Sequence, residues 1–225
     1  MKTVGVRIVK LFVGLFLFAV GIVMTINGNL GLAPWDTFHQ GLANITGLTI
    51  GRVNIIVGSI IVLFNCLLGE RIGWGTLSNM IFIGIFMDLL MLNNLIPIAQ
   101  GLLSGLIMMC SGMFIIGIGS CFYMRAGFGS GPRDGLMVAL TKKTHKPVGL
   151  VRSSIEIMVL FAGYLLGGTL GVGTLVAALG IGYFVQLAFK VLKFDVKSVH
   201  HRFIDEDIKE LRRMLSKTVK SAEEN

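Results

Sequence analysis

Apolar residues in this chain come in long runs rather than in alternation or narrow stripes. Residues 8 to 27, 52 to 69, 75 to 92, 101 to 123, 150 to 167 and 173 to 192 are each predominantly hydrophobic, close to the length of about 20 residues that one bilayer-crossing helix needs. Residues 89 to 124 and 157 to 189 hold no Asp, Glu, Lys or Arg, and each tract is too long for one crossing, so each folds into two helices and a turn. Turn formers stand where they are needed, with Asn93, Asn94 and Pro97 in the first tract and Gly167, Gly168, Gly171 and Gly173 in the second. The pattern predicts an all-α polytopic membrane protein of six transmembrane helices.

Composition agrees with this. Of 225 residues, 54% are hydrophobic and 14% charged, and the mean hydropathy of +0.80 excludes an ordinary soluble domain. Lipid is the main solvent and the first expected partner. The stretch from Met1 to Asn27 has the basic start of a secretory signal but no small-residue cleavage site after it, so it reads as a retained first helix. Cys66, Cys110 and Cys121 lie in apolar segments without paired spacing and read as packing residues, not as a disulfide or metal framework. Neither a cofactor nor a metal is expected, and His145, His200 and His201 lack metal-like spacing.

Basic residues set the expected sidedness. Lys2, Arg7 and Lys10 precede the first helix, Arg125, Arg133, Lys142, Lys143, Lys146 and Arg152 line the loop between the fourth and fifth, and Lys190, Lys193 and Lys197 follow the sixth. The alternate loops carry almost none, Arg52 excepted, which places both termini in the cytoplasm. This bias accounts for the net charge of +8 without a nucleic-acid partner. Residues 1–195 form one membrane domain; 196–225 form a basic tail in which Ile204, Ile208, Leu211 and Leu215 line one side of a charged, surface-lying helix.

The chain also repeats itself. Shifted by 98 positions, residues 31 to 90 align with 129 to 188 without a gap. Gly31, Pro34, Asp36, Thr46, Gly51, Gly73, Gly75, Thr76 and Leu77 meet Gly129, Pro132, Asp134, Thr144, Gly149, Gly171, Gly173, Thr174 and Leu175. The repeats run from about 5 to 92 and from about 101 to 192. Each copy holds three crossings, an odd number, so the second enters the bilayer from the opposite face and the repeats are inverted. Inverted repeats are common in transporters, whose sites lie between the halves.

After its first span each repeat carries a short helix, Pro34 to Thr46 and Pro132 to Thr144, with Pro at its first position and apolar residues at helical spacing. Each lies flat on the interface or dips inward as a re-entrant segment. Asp36 and Asp134 fit the helix dipole, yet their recurrence also suits two acids flanking a central pathway. Trp35 and Arg133 share a repeat position, one suited to stacking and one to charge, or both to interfacial anchoring. Asn54, Arg152 and Glu156 complete the candidate substrate-binding set with Pro34 and Pro132, Arg152 and Glu156 being spaced to pair on one helix face. Asp88, its repeat mate Gln186, and Asn79 are candidate intramembrane polar groups. His39 reads as a polar surface residue.

The motifs Gly31-Leu-Ala-Pro-Trp-Asp36, Thr46-Gly-Leu-Thr-Ile-Gly51, Gly73-Trp-Gly-Thr-Leu77 and Gly131-Pro-Arg-Asp-Gly135 together resemble the bacterial YczE/YyaS/YitT group of integral membrane proteins, over most of residues 5 to 195. Ala33 departs from the glycine that members often carry there. The resemblance implies a bacterial plasma-membrane location and brings no catalytic or binding residue to carry over. The expected function is a small-molecule or ion transporter or channel with its site between the repeats. The alternative is a non-transporting regulator or scaffold acting through a partner, and a homo-oligomer fits either. No catalytic residue is expected, because no hydrolase, metalloprotease or phosphate-loop motif is visible. A polar, water-accessible cavity at Asp36 and Asp134 would favour transport; a tightly packed interior would favour the partner reading.

Overall fold

The computed structural model describes residues 2–195, 199 and 202–206. Regular structure among them is entirely helical: α1 (Lys2–Asn27), α2 (Pro34–Thr46), α3 (Ile50–Leu67), α4 (Trp74–Leu92), α5 (Leu102–Arg125), α6 (Pro132–Thr144), α7 (Val148–Leu165) and α8 (Val172–Val191). All but α2 and α6 are long and apolar enough to cross a membrane, six in number. The expected spans fall on these six within a few residues, except that α1 starts at Lys2 rather than near residue 8. Arg7 explains part of the extension, since its Nε donates to the Ala126 carbonyl at 2.8 Å and its guanidinium covers the Phe128 ring at 4.6 Å.

Both short helices occupy the expected residues. Pro34 and Pro132 stand at their starts after the extended residues Ala33 and Gly131, and Gly31 (φ +107°) and Gly129 (φ +111°) supply the positive φ that turns the chain into each. A left-handed residue closes both, Gly47 in α2 and His145 in α6.

Antiparallel α1 and α5 form the central pair. Gly14 faces Gly119, Gly21 faces Gly112 and Gly28 faces Gly105, each at backbone-to-backbone approach. Heptad spacing keeps these glycines on one face, and in lipid such close approach, rather than hydrophobic drive, supplies the attraction between helices. Leu15, Ala19 and Val23 of α1 pack with Ile83 and Met87 of α4 in the main core, while α8 lies along α5.

The short helices cross between the halves. Packing of α2 on α7 brings Gly163 against the backbone of Thr37 and Phe38, and α6 lies on α3, where Asn65 Nδ2 donates to the Pro132 carbonyl at 2.9 Å. The Gly75 N–H donates to the Phe128 carbonyl at 2.7 Å, and the Gly173 N–H donates to the Leu30 carbonyl at 2.7 Å. These last two bonds are one contact made twice, each partner being replaced by the residue 98 positions away.

Residues 202–206 dock on the turns before α4 and α6. Arg71 pairs with Asp205 at 2.8 Å and Glu206 at 2.7 Å and covers the Phe203 ring at 4.4 Å; the Arg202 and Ile204 N–H groups donate to the Gly127 and Ile72 carbonyls. Ile208, Leu211, Leu215 and the histidines at 200 and 201 lie outside the described residues.

A side chain at Gly21 would drive its Cβ to 2.6 Å from the Gly112 carbonyl oxygen, whereas a Cβ at Gly5 meets nothing within 4 Å. Gly21→Leu therefore costs about 1–3 kcal/mol or more through overpacking, and Gly5→Leu is close to neutral. Thermal denaturation of the purified protein in detergent checks the difference.

Candidate functional site

The N-terminal ends of α2 and α6 meet inside the bundle. Trp35 and Arg133, which hold the same position in the two halves, lie against each other with the guanidinium 4.7 Å from the indole ring. Arg133 Nη2 also donates to Oδ1 of the buried Asn54 at 3.1 Å. Both residues are half-buried, so their partner is the opposite half rather than a membrane surface. A partly desolvated cation–π contact of this kind contributes roughly 0.5–2 kcal/mol.

The paired acids part company in three dimensions. Asp134 is exposed, accepts from the Tyr123 hydroxyl at 3.3 Å, and receives the N–H of Gly131 at the start of its own helix. Helix capping accounts for it. Asp36 is only 6% exposed, and its Oδ1 has no hydrogen-bond partner. One turn further on, His39 is 1% exposed with neither ring nitrogen partnered, and Arg133 lies within electrostatic reach of both. The reading of His39 as a surface residue is thus overturned: α2 packs on α7, and the face that it presents inward carries Asp36, Thr37 and His39. Orphaned buried polar atoms cost free energy and ask for a partner.

Other candidates are placed as follows. Pro34 and Pro132 are buried at the helix starts. Arg152 and Glu156 pair with each other at 3.0 Å along α7, and reach Asp134 and Arg133 only through space. Asn79 stands beside Gly131, and Gln186 is exposed on α8. Asp88 is bound at the head of α3, its Oδ2 accepting from Thr49 Oγ1 at 2.5 Å and its Oδ1 from the Gly51 N–H at 2.9 Å. Asn65, which the sequence offers with Asn54 and Asn79 as a cavity-lining or helix-joining amide, joins α3 to α6, whereas Thr49 and Tyr123 escaped the reading of the sequence and His39 was misplaced by it. Only Thr49 carried a local signal, as a Thr just before an apolar run.

Asp88 fastens α4 to α3 where Gly51 and Gly84 let the two backbones touch. The equivalent seam is open: α7 and α8 scarcely meet, and their equivalent glycines, Gly149 and Gly182, have nothing within 4 Å. Sequence explains why. The counterparts of Thr49 and Asp88 are Pro147 and Gln186, and Pro147 has no hydroxyl to donate.

An apolar cavity of ≈ 420 Å³ lies beside the polar cluster, lined by Trp35, Ile61, Phe64, Leu136, Ile155 and Met158 among others. This space is apolar and neither Asp36 nor Asp134 lines it, so it is not the polar cavity at those two acids that would favour transport. Among the described residues no three His, Cys, Asp or Glu side chains gather as metal ligands.

A family of unknown function, DUF6198, matches residues 5–190. The chain belongs to this family. It is 39% identical over 181 residues to the uncharacterized membrane protein YczE of Bacillus subtilis (strain 168), covering 79% of this chain and 82% of that one. An uncharacterized protein of Haemophilus influenzae is 33% identical over 191 residues, 85% of each chain, and the uncharacterized protein YyaS of Bacillus subtilis is 30% identical over 166 residues, 72% of this chain and 82% of that one. No solved structure matches. The motif resemblance to YczE and YyaS therefore holds, and with six apolar helices it makes this a membrane protein.

Removing the carboxylate in Asp88→Ala leaves Thr49 and the Gly51 N–H unpaired and lowers stability by about 1–3 kcal/mol, while Gln186→Ala at the open seam changes it little. Melting of the two variants, compared in one detergent, tests the asymmetry.

Proposed function

We propose that the protein is a small-molecule or ion transporter whose two halves are inverted repeats in a bacterial plasma membrane, with both termini cytoplasmic. The odd number of crossings per repeat, the basic loops, the antiparallel α1–α5 pair and the exchanged Gly75–Phe128 and Gly173–Leu30 bonds all support the inversion. In that orientation α2 starts from the outer face and α6 from the inner one. Trp35 and Arg133 then reach each other from the two sides through their side chains.

The observation that carries transport is the unequal state of two equivalent seams. Asp88 closes α3 on α4 at what becomes the outer end and Asp36 is buried, while α7 and α8 stand apart at the inner end and Asp134 is exposed. A protein that opens to one side at a time has this form, and exchanging the two conformations between the halves opens the other side. A rigid scaffold has no reason to hold one seam shut and the equivalent one open.

Exchange brings positions 147 and 186 as close as 49 and 88 are now. In a background with Cys66, Cys110 and Cys121 replaced by Ser, the pair Pro147→Cys with Gln186→Cys is expected to cross-link under mild oxidation in native membranes, and more readily when Asp88→Asn loosens the opposite seam. Thr49→Cys with Asp88→Cys serves as the control pair. Cross-linking of the control without any at 147 and 186, in either background, would falsify the exchange.

A further inference from the structure

From the polar cluster where α2 and α6 meet, we infer that the protein binds a small zwitterion there, a molecule carrying one carboxylate and one ammonium group as an α-amino acid does. The inference rests on the transport reading for its physiological sense but not for its geometry.

Arg133 sits between two helix N-termini, makes one hydrogen bond, to Asn54, and forms no ion pair among the described residues. Most of its N–H donors are uncommitted, and its planar fork suits a carboxylate. Free N–H groups in the first turn of each helix add to the attraction for a negative group. Asp36 supplies the opposite need. Its Oδ1 is buried without a donor, and although Arg133 lies within electrostatic reach, the two do not form an ion pair. Asp36 and Arg133 thus share one buried cluster as an acid and a base, each short of a charged partner among the described residues.

Charge balance selects among ligands. A simple anion would satisfy Arg133 but face the unpaired Asp36, with Asp134 close behind. A simple cation would satisfy Asp36 but face Arg133 and the positive ends of both helices. A zwitterion answers both at once. The unpartnered nitrogens of His39 add a donor or acceptor beside it, and the open apolar groove that shares Trp35 with the cluster, lined also by Ile61, Leu136 and Met158, suits an apolar side chain.

The test uses the full chain purified in detergent, with each of the proteinogenic amino acids scored singly for thermal stabilisation, since a ligand that binds only the folded state raises its stability. Any amino acid that stabilises is then compared with its analogue lacking the amino group and its analogue lacking the carboxyl group; for L-leucine these are 4-methylpentanoate and 3-methylbutylamine. The expected result is stabilisation by the zwitterion and by neither analogue, with Asp36→Asn and Arg133→Lys each weakening binding on the order of 30-fold or more. Equal stabilisation by the carboxylate alone, equal stabilisation by the amine alone, or none by any amino acid overturns the inference. The analogue comparison needs no variant, so it decides even if the substituted proteins do not fold. Zwitterion binding without exchange at 147 and 186 would remove transport and keep the site; exchange without zwitterion binding would do the reverse.

Discussion

Everything in this molecule is hung on the crossing of α1 and α5, where two helices pass with glycine facing glycine at Gly14, Gly21 and Gly28 of one and Gly119, Gly112 and Gly105 of the other. In lipid an apolar side chain gains little by leaving its solvent, so helices hold together through contact density and backbone proximity. The crossing provides both. It joins the halves along their whole depth, fixes α4 on one flank and α8 on the other, and leaves the remaining elements free to differ.

That freedom is used at the middle of the bundle. With α2 reaching across to α7 and α6 to α3, each half completes the other, and the two helix starts arrive at one place. Two positive helix ends and a guanidinium brought together in a poorly hydrated interior need compensation, which comes from the indole of Trp35, the amide of Asn54 and the two acids. Compensation is complete around Asp134 and incomplete around Asp36 and His39. Incompletely satisfied polar groups in an otherwise apolar bundle mark the place where a ligand has something to add.

Divergence between the halves matters as much as their likeness. Proline in place of Thr49 and glutamine in place of Asp88 remove one clasp from one seam, and the backbones that touch at Gly51 and Gly84 stand apart at Gly149 and Gly182. A sequence with a repeated plan thus acquires two unequal seams.

The six spans, the two short helices, the turns between them and the 98-residue offset were legible in the chain because each is written locally, in run length, in Gly and Pro placement and in self-similarity. Arg152 and Glu156 were legible for the same reason, four residues apart on one helix. The early start of α1, the burial of His39, the clasp of Asp88 on Thr49, the laying of Arg133 over Trp35 and the difference between two acids of identical local context were not. Each depends on which faces of distant helices meet, and in a chain whose surface and core are both apolar, hydrophobic pattern does not say which face turns inward. Tertiary packing alone decided that Asp134 would cap a helix and Asp36 would be left with a free oxygen.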